Sequence, residues 1–419
     1  MKIVIASDIY YPMINGVAVF AHNLARGLAK KGHEVMVICP SFNGRYHVTN
    51  DDGVKTVHLT SRRFPFYPDQ INEVPEKKEV LGIKLPRTRY KNGIWWSVKP
   101  YHEISRVLDK FNPDVVHLQT AETIAIATLH YVRKRGVPLV STGHAYPDNV
   151  TSQFGFLKPV KRPVDALLKT YMASFLKHSE YATVPTEMAI SGLLPENRKR
   201  FKVPVEALSN GIDLAQFRPG KADTKVTNKY GIKLNCPRAI YVGRVDPEKS
   251  IGKVVEAFSK VLKNVPDAEL LVVGDGIDKT NLERQAEKLG ISKNVLFPGR
   301  ILPPELVEIY KTGDVFVTAS ETETQGIVLI EAAAMGLPLI AVNAGAVKEL
   351  CQNKRNGILC KPGDVNGLAT AMTKLLTDKE LRKKYGKESL EIAKTHDINY
   401  TLTRFEKIYQ TAIELENKS

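Results

Sequence analysis

Two carboxylates, Glu323 and Glu331, stand eight positions apart in SETETQGIVLIEAAAMG, residues 320–336, one ahead of an apolar run and one inside it. The preceding DVFVTAS reads as a strand, ETETQ as a loop at its carboxyl end, and GIVLIEAAAM as a helix stopped by Gly336 with Pro338 soon after. Glu323 then sits above the sheet, while Glu331 lies about a turn and a half into the helix with its side chain tilted back toward the helix start. Between them come Gln325 and the N–H groups of Gly326, Ile327 and Val328, at the end of a helix that suits a phosphate. Carboxylates repel a diphosphate, so their expected partners are hydroxyls. The stretch reads as a hydroxyl, phosphate, hydroxyl reader, and a ligand with hydroxylated rings on both sides of a diphosphate is a nucleotide sugar. Taken alone, the same two glutamates would also serve as a cap and a solvated charge.

The elements that must hold such a site are short β-branched runs alternating with segments of helical period. KIVIA (2–6) precedes a helix from about Val17 to Lys31, which Gly32 ends before EVMVIC begins the next strand. DVVHL (114–118), PLVST (138–142) and YATV (181–184) continue the pattern. RAIYV (238–242), ELLVV (269–273), NVLF (294–297), DVFV (314–317), PLIAV (338–342) and GILC (357–360) carry it through the second half. Ile251, Val254, Val255, Phe258, Val261 and Leu262 form the clearest helical stripe. Strands alternating with helices mean parallel sheets covered on both faces, an α/β class. The alternation pauses over EALSNGIDLAQFRPGK, residues 206–221, where Asn-Gly and Pro-Gly pairs cluster. Domains of 1–205 and 206–395 are expected, with 396–419 a final helix crossing back to the first. Open α/β sheets bind ligands at the carboxyl ends of their strands, so a cleft between two such domains is the expected site.

A length of 419 residues suits two or three domains. The formal charge of +15 is uneven: residues 1–205 hold 29 Lys and Arg against 17 Asp and Glu, and the rest 31 against 28. A basic first half attracts phosphates on a substrate, a nucleic acid or an anionic membrane. Cys39, Cys236, Cys351 and Cys360 are scattered without C-x-x-C or companion histidine spacing, which indicates neither a zinc site nor a disulfide framework and suits a reducing cytosol. MKIVIASDIYYP has too short an apolar run for a signal peptide, and no segment of about 20 residues stays apolar enough to span a bilayer.

Glu323 to Glu331, following a strand and entering a helix, resembles the Glu-x7-Glu motif of retaining glycosyltransferases with the GT-B fold, a large family akin to glycosyltransferase family 4. YVGRVDPEKSI (241–251) resembles the family's strand and phosphate turn, with Arg244 and Lys249 in the phosphate-binding positions. VVGDG (272–276) resembles the next strand and its glycine loop, with Gly274 and Asp275. DIYYPMINGVAVFAHNLARGLAKKGHEV resembles the N-terminal glycine loop and helix, with Gly16 at the close approach. STGHAY (141–146) puts His144 where relatives keep a histidine near the reacting sugar, and SNGID (209–213) matches the interdomain joint. His117, inside DVVHL, reads as core or second to the site.

The resemblance implies two Rossmann-like domains facing across a cleft, and transfer of a hexose from a nucleotide diphosphate with retention at the anomeric carbon. Arg244, Lys249 and the helix amides would stabilise the departing diphosphate. Glu323 would hold sugar hydroxyls, Glu331 the ribose, and His144 the reacting sugar. No D-x-D falls at a strand end, so no metal is required, and the departing phosphate itself would take the acceptor's proton.

The wording ETETQGIVLIEA, with Thr-Gln in place of Pro-Phe, and TEMAISGLL (186–194) resemble the bacterial diacylglycerol glucosyltransferases. UDP-glucose is then the expected donor and a lipid the expected acceptor. In residues 154–177, Leu157, Val160, Val164, Leu167, Leu168, Tyr171 and Phe175 gather on one side of a helical projection, with Lys158, Lys161, Arg162 and Lys169 opposite. That fits a helix lying on an anionic membrane, peripheral on the inner face, and equally a core helix with a solvated basic back. SRRFPFYP (61–68) and LPRTRYKNGIWW (85–96) add basic residues among aromatics near the acceptor side. Nothing resembles a nucleic-acid fold. A phosphatidylinositol or soluble acceptor, a sugar-nucleotide epimerase, and a non-catalytic nucleotide-sugar binder are the competing readings.

Overall fold

A computed structural model describes residues 1–419 apart from 14, 64–69, 72–78, 81–82, 85–90, 93–94, 145–150, 152–160, 194–200 and 419. The chain divides into two compact units, Met1–Gly211 with Asn399–Ser419, and Ile212–Ile398.

The first unit is built on an eight-stranded sheet in the order Val205–Ala207, Tyr181–Val184, Leu139–Thr142, Val115–Leu118, Lys2–Ala6, Glu34–Pro40, Val54–Leu59, His47–Asp51. Every pair is parallel except the last. Its central strands read VVHL and KIVIA because they are buried on both faces, as parallel strands are. The first helix runs Gly16–Lys30, where the Asn15 side chain caps it by accepting from the Ala18 N–H at 3.0 Å. Two strands escape the hydrophobic pattern. His47–Asp51 is a mostly exposed polar edge, and Val205–Ala207 is half-buried. Pairing of Val205–Ala207 with Tyr181–Val184 carries the first unit past residue 205, so the chain passes to the second unit at Gly211, six residues later than the sequence suggests.

The chain's last helix, Ile398–Glu416, lies almost wholly in the first unit. A Cβ at Gly27 would stand 2.5 Å from the end of the Leu402 side chain, so any larger residue there requires Leu402 to shift. Arg404 pairs with Glu206 at 2.6 Å, and the Tyr409 hydroxyl lies 2.8 Å from His117 Nδ1. His117 is fully buried, with Nε2 2.6 Å from Thr142 Oγ1, so it is a satisfied core histidine.

The second unit has a six-stranded, all-parallel sheet in the order Val295–Gly299, Glu269–Val273, Arg238–Val242, Val315–Val317, Leu339–Val342, Gly357–Cys360. Apolar clusters fill both faces, one led by Val254, Phe258 and Leu375 and the other by Ile330, Ile309 and Leu339. From Arg238–Val242 the chain first winds outward one way, then returns to the other side at Val315–Val317. Such a reversal opens a crevice at the carboxyl ends of the two strands, the place where doubly wound sheets take their ligands.

Candidate active site

In the second unit, the two strands at that reversal deliver the sequence-predicted residues. Arg238–Val242 leads into Gly243, Arg244 and a short helical turn Pro247–Lys249, and Val315–Val317 leads into the loop that carries Glu323. Lys249 is buried, and its Nζ lies 2.6 Å from Glu323 Oε1 across 74 residues of sequence. Burial opposes ionisation of Glu323, but the Lys249 ammonium and its hydrogen bond, aided by Ser320 and Arg244, hold its carboxyl below the usual range. The loop is held from below by the Ala346 N–H, 3.3 Å from Glu323 O. Gly345 there has φ +52, and a Cβ on it would stand only 3.0 Å from that same oxygen.

Gly326 caps the helix Ile327–Ala334 in the left-handed region, with φ +80. The intrahelical ladder begins with Leu329 N–H to Gly326 O at 2.9 Å, which leaves the Ile327 and Val328 N–H groups ahead of it at the helix's open end. Glu331 receives the Tyr310 hydroxyl at 2.8 Å. Crowded by its surroundings although not fully sealed from solvent, Glu331 is pushed up to about 7 by burial, against the lowering effect of that hydroxyl. The two glutamates thus differ in kind: Glu323 is an ion paired with a buried lysine, and Glu331 titrates near neutrality.

Arg244 is shared between two carboxylates of its own turn, Asp246 and Glu248. Gly274 follows the neighbouring strand Glu269–Val273 with φ +147, and a Cβ on it would lie 1.8 Å from Gly243 O. A Cβ at Gly276 would lie 2.2 Å from Val245 O. The glycines of VVGDG therefore admit the adjacent loop of the protein itself, tied by Val245 N–H to Asp275 O at 3.0 Å. Arg300, just past Val295–Gly299, joins this edge: burial lowers its pKa, and Asp275 and Asp246 counter that. Sequence reading missed Arg300 and Tyr310. A basic residue directly after a strand was the available signal for Arg300; Tyr310 lies inside a helix, Glu305–Tyr310, with no signal at all.

In the first unit, Gly16 is the first residue of its helix. His144 follows the strand Leu139–Thr142, with Nε2 2.7 Å from Gln119 Oε1 and the Phe20 ring 5.1 Å from its own. Burial lowers it to about 3, so its imidazole is neutral.

The basic amphipathic stretch splits. Residues 152–160, including Lys158, lie outside the described residues, and the helix runs Lys161–Lys177 with Pro163 in its first turn, where a missing N–H costs nothing. Along the apolar side Phe175 is buried in the core, whereas Leu167 is 71% exposed and Tyr171 39%. Arg162 is exposed, Lys169 is half-buried, and Lys161 pairs with Asp165 at 2.8 Å. Ile126, 51% exposed, lies in the helix Thr123–Arg135, five residues beyond Ala121, whose carbonyl accepts the Tyr171 hydroxyl at 2.5 Å. Among the described residues no helix is long and apolar enough to cross a membrane, and no group of three or more His, Cys, Asp or Glu is placed to hold a metal ion.

Known proteins match this arrangement. Residues 14–216 fit the family described as Glycosyltransferase Family 4, and residues 223–391 fit Glycosyl transferases group 1. The chain is 28% identical over 339 residues to the sulfoquinovosyl transferase SQD2 of Arabidopsis thaliana, covering 79% of this chain and 64% of that protein's length. It is 29% identical over 365 residues to the alpha-monoglucosyldiacylglycerol synthase of Acholeplasma laidlawii, covering 85% of this chain and 84% of that one. The structure of Anabaena HepE in complex with UDP-glucose superposes with a TM-score of 0.71 at 15% identity, covering 98% of this chain and 100% of that one. With a sequence match in each unit and a doubly wound fold shared over the full length, the chain belongs to the GT-B glycosyltransferases, a family 4 first half joined to a group 1 second half.

Proposed function

We propose that the protein is a retaining hexosyltransferase that moves glucose from UDP-glucose to diacylglycerol at the surface of an anionic membrane. The observation that carries this reading is the buried Lys249 and Glu323 pair, set at the sheet's reversal beside the open start of the helix Ile327–Ala334. In it, Lys249, Arg244 and the Ile327 and Val328 N–H groups take the diphosphate, and Arg244 exchanges its carboxylates for phosphate oxygens. Glu323 accepts from the glucose hydroxyls and Glu331 from the ribose. Asp275 and Gln325 line the donor, with Gly274 keeping the loops together. His144, a neutral imidazole, serves a sugar hydroxyl. The cations and the helix start supply the positive charge the leaving group needs, so the reading requires no metal. The Acholeplasma relative supports the lipid acceptor, and HepE supports the donor. Exposed Leu167, Tyr171 and Ile126 supply apolar contact for the membrane, and Arg162 and Lys169 of the same helix as Leu167 and Tyr171 supply charge.

Incubation with labelled UDP-glucose and vesicles of diacylglycerol in anionic lipid tests this directly. Labelled glycolipid is expected, with vesicle co-sedimentation that weakens as salt rises. Glycosylated phosphatidylinositol instead would move the acceptor, a released sugar-nucleotide isomer would mean an epimerase, and an unchanged donor would mean a binding module.

Donor affinity should depend on pH through Glu331. Ribose hydroxyls favour the carboxylate, so UDP binding releases a proton at pH values below about 7. Calorimetry is expected to show several-fold weaker binding at about pH 6 than at about pH 8, within the tenfold-per-unit ceiling of one proton. The Glu331→Gln variant should keep only the dependence that belongs to UDP itself. If wild type and variant follow the same pH curve, Glu331 does not meet the ribose.

A further inference from the structure

Gln119 and His144 leave the first sheet side by side, each just past the carboxyl end of one of two paired strands, Val115–Leu118 and Leu139–Thr142. Gln119 is 2% exposed, and its Oε1 lies 2.7 Å from His144 Nε2. A carboxamide oxygen has lone pairs and no proton, so a bond of that length places the imidazole proton on Nε2. The ring is neutral, so Nδ1 keeps its lone pair. Phe20 packs against the ring at 5.1 Å, and His117, two residues before Gln119 on the same face of the strand, is fully engaged by Tyr409 and Thr142. Gln119 therefore reaches His144 from a rigid wall. The other end of its amide, Nε2, is buried and has no hydrogen-bond partner among the described residues. A buried donor left open in a native protein calls for an acceptor from water or from a polar ligand.

We propose that Gln119 is a positioning residue for glycosyl transfer: it fixes His144 as the Nε2–H tautomer, so that Nδ1 accepts a hydrogen bond from a hydroxyl on the reacting sugar. The open Gln119 N–H group marks where an oxygen of the same polyol comes to rest. This deepens the reading of His144 given above and rests on it. A wrong tautomer would present an N–H where the hydroxyl needs a lone pair, and would do so without changing the ring's place.

Nitrogen NMR of protein labelled at histidine, with the His144 signal assigned by its loss in His144→Asn, reads the tautomer without any turnover. The Nε2–H form is expected in the wild type. Gln119→Leu should mix the tautomers and lower kcat by about ten- to a hundredfold, by analogy with loss of the partner that orients a metal-ligating histidine. KM for UDP-glucose should rise as well, because Gln119 N–H and His144 Nδ1 both hold the sugar before it reacts. Gln119→Glu, which keeps the acceptor oxygen, should keep the Nε2–H form. An Nδ1–H wild type, or a Gln119→Leu variant with unchanged tautomer and kcat, overturns the proposal. Full transfer by His144→Ala would instead remove His144 from the reaction, and the NMR result would stand apart from it.

Discussion

Lys249→Ala is expected to lower kcat/KM for transfer by about a thousandfold while the protein stays folded. Loss of one fixed donor to a developing anion costs about 10²–10³ in rate. Lys249 is such a donor in the reading above, and it is buried, so water replaces it poorly. A second loss follows from Glu323. Burial opposes its charge, and the lysine is the first group that holds it ionised. Without Lys249 the carboxyl takes up a proton more readily, and the oxygen meant for a sugar hydroxyl is compromised. The residual activity should therefore rise with pH more steeply than the Glu331-dependent rise of the wild type. Steady-state kinetics across pH check both parts. Transfer within tenfold of wild type would show that the Lys249 and Glu323 pair is an internal ion pair of the fold and no part of the donor site.

The second large effect is one of stability. Glu269→Ala should cost the second unit about 3–5 kcal/mol, the usual result of stripping one partner from a buried ion pair. Glu269 and Arg238 open neighbouring strands in register, at 4% and 1% side-chain exposure, with Nη2 2.7 Å from Oε2. Arg238 also donates to the carbonyls of Thr312 and Lys233, and those bonds cannot neutralise its charge. The pair lies at the amino ends of the strands, the opposite end from Gly243 and Gly274, so UDP affinity of the folded fraction should not change. Both tryptophans, Trp95 and Trp96, belong to the first unit, and their fluorescence would miss the event. Amide hydrogen exchange across residues 238–360 reports it. Joint replacement, Arg238→Met with Glu269→Leu, should cost less than the single change, because no bare charge is left inside.

The parallel strands were legible because two-sided burial writes itself as short runs of Val, Ile and Leu. KIVIA, RAIYV and ELLVV are strands to the residue. His47–Asp51 was not legible, since an exposed edge strand needs no apolar residues. Val205–Ala207 was hidden in the same way, and the joint between the units moved with it. At the candidate site, Glu323 and Glu331 were singled out by their spacing around a helix start, and Arg244 and Lys249 by the resemblance of their turn. Their connections were invisible: nothing in local spacing says that Lys249 closes on Glu323, or that Tyr310 meets Glu331. VVGDG shows the limit from the other side. Its glycines suggest a ligand's close approach, and the backbone that comes closest to Gly274 is that of Gly243. The helix Lys161–Lys177 kept its predicted type, but periodicity cannot say which part of an apolar stripe finds a core, and only Phe175 and its neighbours Ala173 and Leu176 did.

The last helix has a bearing on how the protein is made. Residues 1–211 emerge from the ribosome first, yet the unit they form is finished only by 399–419. At about 5–20 residues per second, synthesis of the intervening 212–398 takes roughly 10 to 40 seconds. Throughout that interval Phe20 and His117 lack the cover of Phe405 and Tyr409. The nascent first unit therefore lacks that cover until residues 399–419 are made, and a chain cut short before them would leave it unfinished beside an already complete second unit.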